Sequence, residues 1–165
     1  MKISFPNPHL MLYKHTQKSL MMIIVMLAVF ALFAWAHIMS SLEPVSVDSG
    51  TNLLVTSTML VVLVILSSFI TLQVTIDKQD IHLKFGYGLF KRTFALKDIV
   101  SAKTVKNHRY YGRGIRLWLW PKMWIFNVWG FDAVEIKMKN GKIYRIGTDD
   151  AKKLEEIILN TIKKQ

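Results

Sequence analysis

Leu20 to Met39 reads LMMIIVMLAVFALFAWAHIM, without one Asp, Glu, Lys or Arg. As a helix rising about 1.5 Å per residue it would span about 30 Å, the thickness of bilayer hydrocarbon. Apolar side chains run all round it, with none of the polar face of a half-buried soluble helix. The uncharged stretch extends over residues 19–42, and a second one covers 49–76 with its core from Leu53 to Val74. The expectation is a transmembrane hairpin, with helices about 20–39 and 53–74 and an outside loop 40–52. The competing reading is two buried helices of a soluble protein.

The flanks orient the hairpin. Before it stand Lys2, Lys14 and Lys18; the loop holds Glu43, Pro44 and Asp48; after it come 19 of the 22 basic residues. The positive-inside rule then places both ends in the cytoplasm, so that residues 1–18 form a cytoplasmic N-terminal segment. The net charge of +11 on 165 residues would by itself suit a nucleic-acid binder. No Lys or Arg lies between Lys18 and Lys78, however, and cytoplasmic flanks of membrane proteins are basic for topological reasons alone. With no cysteine, disulfides and thiolate chemistry are excluded. Ala34-Trp35-Ala36 fits a signal-peptide cleavage site, an alternative that would leave one span. Ser67, Thr71 and Thr75 recur every fourth residue. They read either as a close-packing seam or as hydroxyls bonded back to their own helix. The absence of charge within either span argues against an ion pathway.

From Asp77 to Gln165 the pattern is of short strands closed by one helix. Val74 and Ile76 alternate into the turn Asp77-Lys78-Gln79-Asp80, and Ile81, Leu83 and Phe85 alternate out of it. Leu89–Leu96 and Ile99–Lys106 read as two further strands. At Lys139-Asn140-Gly141 a three-residue loop with a left-handed Gly141 sets Met138 opposite Lys142. Val134, Ile136, Met138, Tyr144 and Ile146 then share one face, with Glu135 opposite Arg145 on the other. Met138 opposite Ile143 would refute that register. A helix of about 149–163, N-capped by Thr148, carries the apolar stripe Ala151, Leu154, Ile157, Ile158, Thr161 and Ile162. This order suggests a small, partly open β-barrel capped by a helix.

Tyr111-Gly112-Arg113-Gly114-Ile115-Arg116, Val128-Trp129-Gly130-Phe131-Asp132-Ala133-Val134, Asn140-Gly141-Lys142 and Arg145-Ile146-Gly147-Thr148-Asp149-Asp150 carry a resemblance. From about Val74 to Ile162 the chain resembles the bacterial pleckstrin-homology-like domain of small membrane proteins that bear it after two transmembrane helices. The resemblance implies an α+β membrane protein of the bacterial inner membrane. Its cytoplasmic domain, 77–165, would have seven strands in two near-orthogonal sheets and a capping helix. The phosphoinositide-binding pattern of eukaryotic relatives is not evident, since the first hairpin offers only Lys78 and Lys84.

Nothing in the sequence looks catalytic, and no cofactor is implied. His9, His15, His37, His82 and His108 are scattered, with no metal-ligand spacing on a common element. Gly86-Tyr87-Gly88 and Gly112-Arg113-Gly114 open no helix and read as turns. The informative stretch is Arg109 to Phe131, where aromatic rings interleave with cations. Arg109, Arg113, Arg116 and Lys122 would meet anionic lipid headgroups, while Trp120 and Trp124 would settle in the interface. The other reading makes most of these rings core. The function expected is a non-enzymatic module binding the anionic membrane surface or a membrane-associated protein. A self-associating scaffold that organises a membrane oligomer is the alternative. No single-strand-binding motif or recognition helix accompanies the basic residues, which argues against nucleic acid.

Overall fold

A computed structural model describes residues 11–42 and 49–164, with side chains described at 11–39 and 53–164. The loop residues Glu43, Pro44 and Asp48, and Lys2 and His9, lie outside the described residues. Strand β1 (Tyr13–Lys18) runs into helix α1 (Leu20–Leu42), and the chain returns through α2 (Ser49–Ser67) into β2 (Thr71–Ile76). β1 and β2 are antiparallel neighbours, Tyr13 opposite Ile76 and Lys18 opposite Thr71. The two helices are therefore an insertion in a β-hairpin. Ser19 closes the entry: its backbone N–H donates to the Ile70 carbonyl (2.7 Å), and its hydroxyl accepts from Met22 N–H, capping α1.

Three expectations change here. The segment before the helices is not a separate tail, because residues 13–18 form a sheet strand. Its alternation carries almost no apolar signal, since the buried positions are Tyr13 and the polar Gln17. The second helix does not reach Val74. Leu72, Val74 and Ile76 are buried with period two, a strand pattern within an uncharged run that length alone reads as helix. The Ser67, Thr71, Thr75 stripe consequently does not lie on one helix. Ser67 does bond back, its hydroxyl donating to the Val64 carbonyl at 2.8 Å. Among the described residues one helix is long and apolar enough to cross a membrane. That window is Leu20–Met39, with mean hydropathy 2.4 and none of it buried within the protein. The apolar part of α2, Leu53–Ser67, is shorter.

The rest of the domain follows as β3 (Asp80–Phe85), β4 (Phe90–Ala95), β5 (Ile99–Lys106), β6 (Gly114–Leu119), β7 (Lys122–Asn127), β8 (Asp132–Met138), β9 (Ile143–Gly147) and α3 (Ala151–Ile162). One sheet has the order β1-β2-β3-β4 and the other β5-β8-β9-β7-β6. The fold is α+β, but these nine strands form two open sheets rather than a seven-stranded barrel. β1 is recruited from before the helices, and the β6–β7 hairpin forms the edge of the second sheet beside β9. β7 runs parallel to β9.

The sheets face each other across a core that includes Leu72, Ile81, Phe85, Phe126, Ile136 and Ile146. α3 covers β5 and β8 with Ala151, Leu154 and Ile158. It starts at Ala151, so the capping position is Asp150 rather than Thr148, whose hydroxyl accepts the Asp150 N–H (3.2 Å). The β8–β9 hairpin takes the register that the apolar pattern selects. Met138 N–H donates to the Lys142 carbonyl at 2.9 Å, Gly141 has φ 76°, and Glu135 stands opposite Arg145 with Oε2 2.7 Å from Nε. Val134, Ile136, Met138, Tyr144 and Ile146 are all buried. β1 is tied to the start of α3, where Tyr13 Oη donates to Asp150 (3.5 Å) and His15 pairs with Asp149. Burial, reinforced by the Asp150 charge, pushes the Tyr13 phenol up to about 12.

Candidate membrane-facing site

The bases of the two helices touch the domain in two places. The β3–β4 turn lies under α2: the Tyr87 hydroxyl donates to the Val64 carbonyl and is 3.2 Å from Ser67 Oγ. Gly86 has φ 49°, and a Cβ there would stand 2.6 Å from the Ser68 carbonyl oxygen, so the turn fits only without a side chain. The start of β6 lies under α1. Arg113 reaches Met21 in the first helical turn and lies 5.0 Å above the Trp129 ring. The opposite side of the domain carries the β2–β3 turn and α3, where Lys78 and Ile157 line a common hollow. Within the second sheet, β5 contacts α3 and β6 is the edge on the helix side.

The six residues singled out from the sequence fall on this β6 edge and its flanks, but not in one cluster. Arg109 is exposed on a single 3-10 turn, Arg109–Tyr111. Arg113 is half-buried, and Arg116 is exposed with its Nε donating to the Arg113 carbonyl (3.2 Å). Trp120 and Lys122 stand at the other end, at the tip of the β6–β7 hairpin, where Leu119 pairs with Lys122. At about 3.3 Å per residue, Arg113 and Trp120 are separated by about 23 Å of strand. Trp120 is 90% exposed and Trp124 39%. The tryptophans divide: Trp118 packs on Tyr111 beside Met123 and Ile125, in a small second core, whereas Trp120 projects outward.

The hairpin overhangs the first sheet. On its inner face Ile115 pairs with Phe126 over the core, then Leu117 with Trp124, then Leu119 with Lys122. Exposure rises along that row, from buried Phe126 to Leu119 at 75%. Between this face and β4 opens a cleft of about 430 Å³. Phe90, Ile115, Trp124 and Tyr144 line it, and Arg92 and Lys142 bring cations to it, while Lys91 stands opposite Lys84 on the outer face of β4. No acidic residue is among its lining residues. Sequence reasoning missed the cleft. Phe90-Lys91-Arg92 reads as an ordinary strand and Lys142 as a turn residue, and only the packing of sheet on sheet brings them together.

Asp77, Asp80 and His82 also come together, their ligand atoms within 4.8 Å of one another. Scattered histidines give no sign of this in the sequence. The Asp77 carboxylate is engaged in the β2–β3 turn: Oδ1 accepts Gln79 N–H (2.8 Å) and Asp80 N–H (2.7 Å), and Oδ2 lies 3.0 Å from His82 Nε2. Burial works to raise its pKa, but those hydrogen bonds and His82 outweigh burial and hold the carboxyl below its ordinary value. Asp80 moves the other way, raised by burial and by the Asp77 charge. No protein-family model, curated protein or solved structure matches the chain.

Proposed function

We propose that the protein is a membrane-anchored, non-enzymatic binding module of the bacterial pleckstrin-homology-like kind. It works at the cytoplasmic face of the inner membrane, where it engages anionic lipid headgroups or a protein lying on them. The observation that carries this reading is the junction of helix and domain. An apolar helix with no buried window grows out of a basic β-domain with only Ser19 between strand and helix. Because β1 and β2 are paired, a chain that leaves through α1 must come back through α2. The apolar part of α2, Leu53–Ser67, reaches about 22 Å, and local thinning of the bilayer would make up the difference from the hydrocarbon thickness. A two-span hairpin of this kind keeps both termini on one side, and the Lys/Arg distribution favours the cytoplasm. Each cation near an anionic leaflet contributes about 1 kcal/mol. The domain is tethered there, so weak sites act at high effective concentration.

The test uses the full chain reconstituted into phosphatidylcholine vesicles with or without phosphatidylglycerol, read by tryptophan emission over a salt series. The expected result is a blue shift with the anionic lipid that fades with salt. It should weaken when Arg109, Arg113, Arg116 and Lys122 are replaced by Gln, and the Trp120→Phe protein should lose its larger part. Emission indifferent to lipid charge would reject the lipid surface. A discrete crosslinked ladder in native membranes would then favour the self-associating alternative.

A further inference from the structure

The residues that face lipid headgroups in the proposed function lie along the β6 edge, but the cleft beside β4 has a chemistry of its own. Its walls are apolar and aromatic, contributed by both sheets. Phe90 at 40% and Trp124 at 39% remain exposed although they adjoin the core. Open apolar surface of this kind, lining a concave cleft between two sheets, marks a binding groove more often than a packing defect. Its volume lies within the range of about 300–1,000 Å³ usual for small-molecule sites. Arg92 comes from one sheet and Lys142 from the β8–β9 turn of the other. The wall of rings and the group of cations match the two ends of an anionic amphiphile.

Position supplies the second argument. Leu89 lines the cleft and follows directly on the turn whose Tyr87 is bonded to the base of α2. Leu89 is itself 56% exposed. The cleft thus begins at the helix bases and is continued outward by Leu117 and Leu119 on the overhanging hairpin. An acyl chain leaving the adjacent leaflet would meet apolar surface from the start.

We infer that the cleft between β4 and the β6–β7 hairpin takes one acyl chain of an anionic membrane lipid, with Arg92 and Lys142 holding the headgroup. This rests on the membrane reading above, and it adds a discrete lipid site distinct from the surface cations. Ring contact with the chain selects an amphiphile over a free anion, and the cations select an acidic head over a zwitterionic one.

The experiment reconstitutes the full chain in phosphatidylcholine vesicles containing a minor fraction of lipid with brominated acyl chains, which quench tryptophan on contact. The Trp124 contribution is the quenching lost in the Trp124→Phe protein. Brominated phosphatidylglycerol should quench Trp124 several-fold more than brominated phosphatidylcholine at equal mole fraction. The double variant Arg92→Gln, Lys142→Gln should abolish that preference. Arg92 lies over the core ring Phe94, so circular dichroism of the variant checks its fold, and Lys142→Gln alone should already weaken the preference. Added inorganic phosphate should not displace the lipid. Equal quenching by the two lipids, or a preference that survives the double variant, overturns the proposal. The Gln variants of Arg109, Arg113, Arg116 and Lys122 separate the two readings: they should dull the Trp120 response and leave the Trp124 preference in place. A wild-type protein without a Trp120 response but with the Trp124 preference would count against the surface reading and not against the cleft.

Discussion

Asp77 shows how one side chain holds a turn. Its two carboxylate oxygens serve two backbone N–H groups and one imidazole, so that three polar groups are satisfied where β2 turns into β3. The folded carboxyl lies below its ordinary value, so the ionised form stabilises the fold. That contribution is fully present above the ordinary carboxylate pKa and is lost as pH falls through the lower, folded value. Asp80, raised by burial and by Asp77, acts in the opposite sense: its ionisation opposes folding, and acid relieves it. Replacing Asp77 by Asn should lower stability near neutrality by about 1–3 kcal/mol, the usual loss of hydrogen bonds to a charged group. It should also flatten the acid limb of the stability profile. Thermal melts of the full chain in detergent, run from neutral to acid pH, check both. An acid limb as steep as the wild type's would assign it to other carboxylates.

At the scale of elements, two glycine turns look alike in sequence and differ in surroundings. Gly141 has φ 76° with open space where a Cβ would go, and Gly86 has φ 49° with the Ser68 backbone in that space. Gly141→Ala should cost only the left-handed conformation, about 1–2 kcal/mol. Gly86→Ala should cost more, because the clash is with backbone and the β3–β4 turn must leave the base of α2. Denaturation of both variants in the same detergent measures the difference, and equal losses would show that the turn is not seated under the helix. The Gly141 turn is legible in the amino-acid pattern, since only one register buries Val134, Ile136 and Tyr144 together. α3 and the β2–β3 hairpin are legible for the same reason, each having a strong period. The end of α2 is not. From Leu53 to Val74 no charge marks the change from a helical to a two-residue repeat, and apolar β-branched residues serve either. β1 is illegible because its inward positions include Gln17. Of the site, the β6–β7 residues stand out by composition. The β4 and β9 contributions to the cleft depend on contacts between residues far apart in sequence.

For the whole molecule, the arrangement makes the helices removable and the strands on either side of them, β1 and β2, indispensable. Ser19 and Ile70 are bonded neighbours, so residues 20–69 can be replaced by an Asn-Gly turn of the kind that joins antiparallel strands in two residues. That protein should be a soluble, folded domain with β1 in place. A fragment starting at Lys78 lacks β1 and β2, which exposes the core faces of β3 and α3, and it should aggregate or remain unfolded. Circular dichroism and gel filtration of the two proteins decide. A well-folded Lys78 fragment would mean that the first sheet does not need its N-terminal half.

The pairing of β1 with β2 also imposes an order on biosynthesis. β1 is made first, yet its partner is translated only after both helices. Until α2 has been made, the ribosome holds a nascent strand with an open edge and nothing to pair with. On the two-span reading proposed above, completion of the first sheet would report that the hairpin has returned to its starting side. A chain whose second helix failed to come back would strand β1 and β2 on opposite faces of the bilayer. Its domain would stay open and be exposed to proteolysis, so that folding acts as a proofreading step for insertion.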